Sequence, residues 1–182
     1  QVPLSYGNLV AAARNVVASL NLTPEDRCLN VMPLFHSHGL LGAALSTLAS
    51  GGSIVCTPGM DPRYFFQWAE RFECTWYTAA STVHRLVLDA PGSWGGFRFM
   101  RSASGPLPPQ LARELEARCG APMIEVFGMT EAYQIAANPL PPGKRRFGSV
   151  GRATGTEISI LGPDGVVLTE GQGEILVRGA AV

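Results

Sequence analysis

The sequence predicts an α/β protein whose mostly parallel sheet is covered by helices on both faces and is followed by short antiparallel strands. Over residues 1–137, short apolar runs of strand length alternate with segments of helical periodicity, which is typical of parallel strands joined by crossover helices. Beyond Ala137 the helical segments stop, and short strands follow one another across tight turns. We therefore expect an α/β core over 1–147 and a β appendage over 148–182.

Capping residues mark most of the expected helices. Ser5 can cap the first one, Asp61 with the following proline predicts the start of another, and Ser81 can cap a third. Gly120 is a usual stop for the last helix. The expected helices span 5–20, 40–48, 61–71, 81–88 and 108–119. The expected strands span 27–32, 53–57, 75–78, 97–102, 123–127, 157–161, 166–168 and 174–178.

The strand Met123–Phe127 carries the clearest candidate site. Its apolar run stops at Gly128, and a hydroxyl and a carboxylate follow at Thr130 and Glu131. An open α/β sheet places ligand-binding groups at such strand ends, where Thr130 could bond a phosphate oxygen and Glu131 could hold Mg²⁺. The same residues also suit a helix start with Thr130 as N-cap. On spacing alone, both interpretations are open.

Charge and cysteine usage exclude several classes of protein. The 14 basic and 14 acidic residues balance, so no overall field favours nucleic acid, and Lys144-Arg-Arg146 is interpreted as a solvated loop. The four cysteines are widely spaced, which argues against a zinc site and indicates a reduced, cytosolic protein. No apolar run reaches the length that a membrane span needs.

Two further loops follow expected strands. His36 and His38 lie in the first, where a ligand-contact role for His36 and a purely structural one are equally supported. The second, Ser102-Ala-Ser-Gly-Pro-Leu107, is small enough for close approach to a flat ligand, or is a tight turn. His84 is expected to be an ordinary helix residue.

Five segments, taken together and in order, resemble the motifs of the adenylate-forming (AMP-binding) superfamily, which includes the acyl-CoA synthetases. They are Met32-Pro-Leu-Phe-His-Ser-His-Gly39, Arg101-Ser-Ala-Ser-Gly-Pro-Leu107, Phe127-Gly-Met-Thr-Glu-Ala132, Gly148-Ser-Val-Gly151 and Gly173-Glu-Ile-Leu-Val-Arg-Gly179. The stretches Cys74-Thr-Trp-Tyr-Thr-Ala79, Phe99-Met-Arg-Ser102 and Asn138-Pro-Leu-Pro-Pro-Gly143 are most similar to the oxalate–CoA ligase-like branch. The resemblance covers essentially the whole chain.

The resemblance implies a two-step reaction. A carboxylic acid attacks the α-phosphate of Mg-ATP to give an acyl-adenylate, and a thiol, usually coenzyme A, then displaces AMP. The residues implied in catalysis are Thr130, Glu131 and His36, with Glu131 as the Mg²⁺ ligand. Those implied in nucleotide binding are Ser104, Gly105, Pro106, Phe127, Gly128, Met129 and Thr130. Those implied in binding the acid are His36, Ser102, Met129 and Gln134.

The chain departs from the family pattern in several places. The phosphate-binding loop, the ribose-binding aspartate and the C-terminal domain with its catalytic lysine lie outside residues 1–182, so we expect a fragment of the large N-terminal domain that is inactive alone. Segment 148–182 would be the start of the family's distorted barrel. Gln134 stands where plant-type oxalate ligases are expected to have histidine, which leaves oxalate, malonate, another short acid or a longer acyl chain open.

Three functions remain open for the whole protein: an acid–CoA ligase, an adenylation domain that loads the pantetheine thiol of a carrier protein, and a non-catalytic scaffold. The resemblance favours the first, and intact Thr130 and Glu131 argue against the third. A cytoplasmic location is expected, with a peroxisomal one open for a eukaryotic protein.

Overall fold

A computed structural model describes residues 1–182 and shows two sheets. The larger has seven strands in the order β2-β1-β3-β4-β5-β6-β7, and the smaller is antiparallel in the order β10-β8-β9. The strands are β1 Arg27–Asn30, β2 Ser53–Cys56, β3 Trp76–Ala79, β4 Phe99–Ser102, β5 Met123–Met129, β6 Tyr133–Ala137, β7 Arg152–Ala153, β8 Glu157–Leu161, β9 Val167–Leu168 and β10 Glu174–Arg178. Strands β1 to β5 are parallel, whereas β6 and β7 are antiparallel, so the predicted mostly parallel sheet is confirmed.

The helices cover both faces of the large sheet, as predicted. They are α1 Tyr6–Leu20, α2 Ser46–Ala49, α3 Phe65–Arg71, α4 Ser81–Asp89 and α5 Pro109–Cys119, and a π-helix, His38–Leu45, runs directly into α2. Helix α1 and the π-helix share one core with Cys28, Trp76 and Phe99. Helices α3, α4 and α5 share the other core with the residues that follow these three, Leu29, Tyr77 and Met100. Successive strand residues therefore point to opposite faces, which fixes where each side chain at a strand end is presented.

Two helix starts differ from the expectation. Helix α3 begins at Phe65 rather than at 61, because residues 62–64 form a turn before it. The Asp61 carboxylate accepts from the backbone N–H and guanidinium of Arg63, and its backbone carbonyl accepts from the N–H groups of Tyr64 and Phe65. Ser81 is the first residue of α4, and Ala80 takes the N-cap position without a side-chain bond. The Ser5 cap of α1 and the left-handed Gly120 after α5 are confirmed.

Strand β6 was not expected, and it changes the interpretation of the central segment. The chain does not start a helix at Thr130; it makes a tight turn and returns as Tyr133–Ala137, paired antiparallel with β5. Residues of β6 are all buried. Strand β7, from the segment expected to form the appendage, extends the large sheet beyond β6, whereas β8 to β10 form the separate small sheet.

Candidate functional site

Two adjoining cavities lie at the carboxyl ends of β4 and β5, and the predicted site residues other than Glu131 line one or both of them. The polar cavity, of about 240 Å³, is lined by His36, Ser37, His38, Arg101, Ala103, Ser104, Gly128, Met129, Thr130, Tyr133 and Gln134. The second cavity, of about 320 Å³, is lined by Ser102, Ser104, Gly105, Pro106, Glu125, Val126, Phe127, Gly128 and Val150. Ser104 and Gly128 line both, so a ligand that spans the two cavities would pass between these residues.

The turn between β5 and β6 presents the hydroxyl and the carboxylate singled out by the sequence. The β5–β6 pairing shifts register between Phe127 and Gly128, and a Cβ at Gly128 would lie 1.8 Å from the Tyr133 carbonyl oxygen. Only glycine allows this close approach. As a result Thr130 and Glu131 stand exposed at the strand end, beside the cavities.

Glu131 has chemistry suited to a hard cation. Its carboxylate makes no ion pair, and no group of three or more His, Cys, Asp or Glu side chains that could hold a metal exists in the chain. Mg²⁺ does not need such a cage, because it is commonly bound by one or two carboxylates together with substrate phosphates. A single free carboxylate next to an exposed hydroxyl, at the edge of a cavity that could admit a phosphate, is therefore compatible with this ion.

A buried chain of hydrogen bonds connects the sheet to the loop after β4. Arg101 donates to Thr78 Oγ1 at 3.0 Å, and Thr78 Oγ1 lies 2.6 Å from His38 Nε2. His38 Nδ1 in turn lies 2.9 Å from Ser104 Oγ. Arg101 and Thr78 are opposite one another in the β3–β4 register, and the π-helix begins at His38, so three elements meet here.

One arrangement gives every hydrogen of this chain an acceptor. In it Thr78 accepts from Arg101, which only donates, and gives its own hydrogen to His38 Nε2. The neutral His38 then carries its proton on Nδ1 and donates to Ser104 Oγ, which leaves the Ser104 hydrogen available to a ligand. Burial, and next the charge of Arg101, lower the pKa of His38 from 6.5 to about 2, so the ring is neutral. Ser104 is held at a φ of 67°, a conformation that serine rarely adopts.

The two histidines of the loop after β1 therefore differ in role. His38 is buried, whereas His36 is exposed at the polar cavity, where its Nδ1 accepts from the His38 backbone N–H at 3.1 Å. This bond leaves Nε2 of His36 as the nitrogen available to a ligand. His84 packs in the core, where its Nδ1 lies 3.0 Å from the Tyr77 hydroxyl, as expected of a helix residue.

Gln134 lies at the inner part of the polar cavity. It is 2% exposed, its Oε1 accepts from Arg101 at 3.0 Å, and its Nε2 donates to Ser19 of α1 at 2.7 Å. Both ends of the amide are therefore held. The Tyr133 hydroxyl also lies 3.4 Å from the Arg101 guanidinium.

The second cavity is less polar. Ser102 contributes a buried hydroxyl that has no hydrogen-bond partner, and half-buried Phe127 supplies an aromatic ring. Burial raises the pKa of Glu125. The backbone N–H of Gly148 donates to the Glu125 carboxylate at 3.2 Å and partly opposes this rise. A flat apolar ligand group with a few polar edges would suit this cavity.

The structure separates Ser102 from the other residues expected to bind the acid. His36, Met129, Thr130 and Gln134 line the polar cavity, but Ser102 lines the second cavity, since neighbouring strand residues face opposite ways. Glu131 lines neither and lies at the turn. Sequence reasoning missed His38, Thr78, Arg101 and Tyr133 as site residues. An arginine within a strand that is otherwise buried was a signal that could have pointed to Arg101.

The largest cavity in the chain lacks charged and titratable side chains of the kind that line the polar cavity. This cavity, of about 580 Å³ beside Phe35 and Met60, contains no carboxylate, histidine or cation. None of the helices combines the length and apolar composition needed to cross a bilayer. The two adjoining cavities are thus the best candidate site.

The fold is that of a solved coenzyme A synthetase. The O-succinylbenzoate coenzyme A synthetase of Bacillus subtilis, in complex with ATP and magnesium ion, superimposes with a TM-score of 0.86 at 29% identity, over 100% of this chain and 38% of that one. Residues 1–182 match the AMP-binding enzyme family throughout, and the chain belongs to that family.

Two relatives agree with this assignment. The chain is 40% identical to an oxalate–CoA ligase of Saccharomyces cerevisiae and 43% identical to a sulfoacetate–CoA ligase of Cupriavidus necator. The matches cover all of this chain but 34% and 36% of those proteins, so the chain spans about a third of their length.

Proposed function

We propose that the protein containing this chain is an ATP-dependent acid–CoA ligase. The observation that carries the proposal is the exposed Thr130–Glu131 pair at the end of β5, beside two cavities, in a member of the AMP-binding family. The relatives that cover the whole chain are CoA ligases, which supports coenzyme A as the acceptor. The acids in their names, oxalate and sulfoacetate, support a short acid.

We assign the second cavity to adenine and the polar cavity to the acid. Gly105, Pro106 and Phe127 all line the second cavity, so the adenine ring would contact both backbone and an aromatic side chain there. Ser104 and Gly128, which line both cavities, would flank the α-phosphate. Met129 would lie against the acid.

In the first step an oxygen of the acid attacks the α-phosphorus, and the bond to pyrophosphate breaks. The physical obstacle is repulsion between two anions, so donors and a cation must lie where negative charge accumulates. Thr130 would donate its hydroxyl hydrogen to a phosphate oxygen, and Ser104 would donate the hydrogen that His38 leaves free. Mg²⁺, when bound at Glu131, would offset phosphate charge.

In the second step a thiol sulfur attacks the acyl carbon, and the bond between that carbon and the AMP oxygen breaks. His36 would border the acid with its free Nε2 and contact the developing oxyanion. A pantetheine thiol of a carrier protein would serve the same chemistry, and only the acceptor distinguishes that alternative.

Pyrophosphate exchange into ATP by the full-length protein tests the proposal. We expect exchange that requires Mg²⁺ and one class of acid, followed by acyl-CoA formation when coenzyme A is added. Transfer to a carrier protein but not to coenzyme A would favour the alternative acceptor. Absence of exchange with every acid, with ATP binding retained, would support a non-catalytic scaffold and reject the ligase.

Two further assignments belong to this proposal. Segment 148–182 would contribute to a barrel-like β layer of the whole protein, because β8 to β10 form a separate sheet in which no residue is buried. A cytoplasmic location is supported by four cysteines, none of which forms a disulfide.

A further inference from the structure

Arg101 is a buried cation without a counter-ion. It is 1% exposed and is the only buried arginine or lysine in the chain. Its guanidinium contacts the Gln134 amide oxygen, the Thr78 hydroxyl and the Tyr133 hydroxyl, all of which are neutral. By contrast, Arg98, just before the same strand, pairs with Asp26 at 2.7 Å.

An unpaired buried charge is costly, because neutral hydrogen-bond partners replace water without cancelling the charge. The polar cavity that reaches Arg101 has no carboxylate in its lining. His38, which lines the same cavity and reaches Arg101 through Thr78, is neutral, since burial and the charge of Arg101 both lower its pKa, to about 2. The cavity is therefore positive at its buried end and lacks an anion.

We propose that Arg101 forms a subsite for a second anionic group, a carboxylate or sulfonate, at the far end of a short acid; this rests on the proposed function. The reacting carboxylate would lie at the exposed end of the cavity, near Thr130 and His36, and the second anion at the buried end. A volume of about 240 Å³ limits the acid to a short chain. The amide of Gln134 would orient the guanidinium.

The competing explanation is that Arg101 has only a structural role, in which its hydrogen bonds hold β3, β4 and β6 together. Arg98, which is 39% exposed, has the Asp26 carboxylate as its partner at the other end of the sheet, whereas the far more buried Arg101 has none. At Arg101 the partners are neutral in every direction, which leaves the charge for a ligand.

Acids matched in shape but not in charge separate the two explanations. We would compare sulfoacetate with methylsulfonylacetate, and malonate with acetoacetate, by kcat/KM for pyrophosphate exchange in the full-length protein. The wild type should prefer the dianion of each pair by about 100-fold. Arg101→Met should bring the ratio close to one.

A second variant tests the subsite independently, in case Arg101→Met fails to fold. Gln134→Glu keeps the side-chain shape and places a carboxylate on Arg101, so it should abolish the preference by supplying the missing counter-ion. Arg98→Met is the matched control: it removes an arginine paired with a buried carboxylate, and should lower stability without changing the ratio.

Each outcome is decisive. A parallel loss on both acids of a pair in Arg101→Met and Gln134→Glu, or a wild type that prefers monoanions, overturns the subsite while leaving the ligase intact. If the wild type activates no acid, the ligase proposal fails, and calorimetric binding of sulfoacetate and methylsulfonylacetate then decides the subsite. Selective binding of sulfoacetate that Arg101→Met abolishes supports it; equal binding or none rejects it.

Discussion

Replacing Gly42 by alanine tests the packing that shapes the polar cavity. Gly42 lies in the π-helix against the Tyr133 hydroxyl, and a Cβ there would be 1.8 Å from that oxygen and 3.0 Å from Arg101 Nη1. Ordinary contact begins at 3.4 Å, so the phenol or the helix must retreat by about 1.6 Å. Both belong to a buried core with little room.

The magnitude follows from opposing effects. Overpacking of this kind costs about 1–3 kcal/mol, and the weakened hydrogen bond from Arg101 to Tyr133 adds about 1 kcal/mol. The higher helix propensity of alanine offsets about 1 kcal/mol of this loss in the free energy of unfolding. We therefore expect Gly42→Ala to lower the free energy of unfolding by about 2 kcal/mol. The displaced phenol should also enter the polar cavity and raise KM for the acid more than KM for ATP.

Gly7→Ala is the matched control, because it is also helical and its Cβ would meet only Ser5 Oγ, at 3.5 Å. It should stabilise the protein by about 0.5 kcal/mol and leave both KM values unchanged. The assay is urea denaturation of the two full-length variants, with steady-state kinetics. Equal stability of the two variants would refute the packing described here.

Three other predictions concern the site and the core. Glu131→Gln should lower kcat/KM about 100-fold and raise the Mg²⁺ concentration needed for half-maximal rate, whereas Glu170→Gln, an exposed carboxylate elsewhere, should do neither. Phe127→Ala should raise KM for ATP with little change in KM for the acid, and a larger effect on the acid would contradict the assignment of the second cavity to adenine. The pKa values of His38 and His84 are lowered to about 2 and about 4, so both rings stay neutral in the folded protein at pH 5. In the unfolded chain both become protonated below about pH 6.5, so acid favours unfolding. Between pH 7 and pH 5, each histidine should lower the free energy of unfolding by about 2 kcal/mol. His38→Gln should remove about half of that decrease, and an unchanged pH dependence would show that the ring is not buried neutral.

The sequence was sufficient for the architecture because the two periodicities of the chain alternate clearly. Apolar strands separated by capped helices predict a parallel sheet, and the loop after β5 was recognised from its small residue, hydroxyl and carboxylate. Strand β6 was missed for a physical reason. The turn that precedes it places Tyr133 at a φ of 55°, a conformation that aromatic residues seldom adopt and no turn pattern signals.

The polar network was beyond local pattern reasoning. His36 and His38 are equivalent in a sequence, and only the packing of the π-helix buries one and exposes the other. Arg101 is separated from Gln134 by 33 residues, and their contact depends on β5 lying between β4 and β6. Such contacts follow from tertiary topology, so the sequence could suggest the individual residues but not their partnership.

The most direct test of the central claim follows one oxygen atom. The full-length protein would be given its acid labelled with ¹⁸O in the reacting carboxylate, together with Mg-ATP and coenzyme A, and the AMP would be weighed by mass spectrometry. Attack of the carboxylate on the α-phosphorus predicts one ¹⁸O atom in AMP for each acyl-CoA formed. Unlabelled AMP, or label in inorganic phosphate with ADP as the nucleotide product, would contradict activation through an acyl-adenylate.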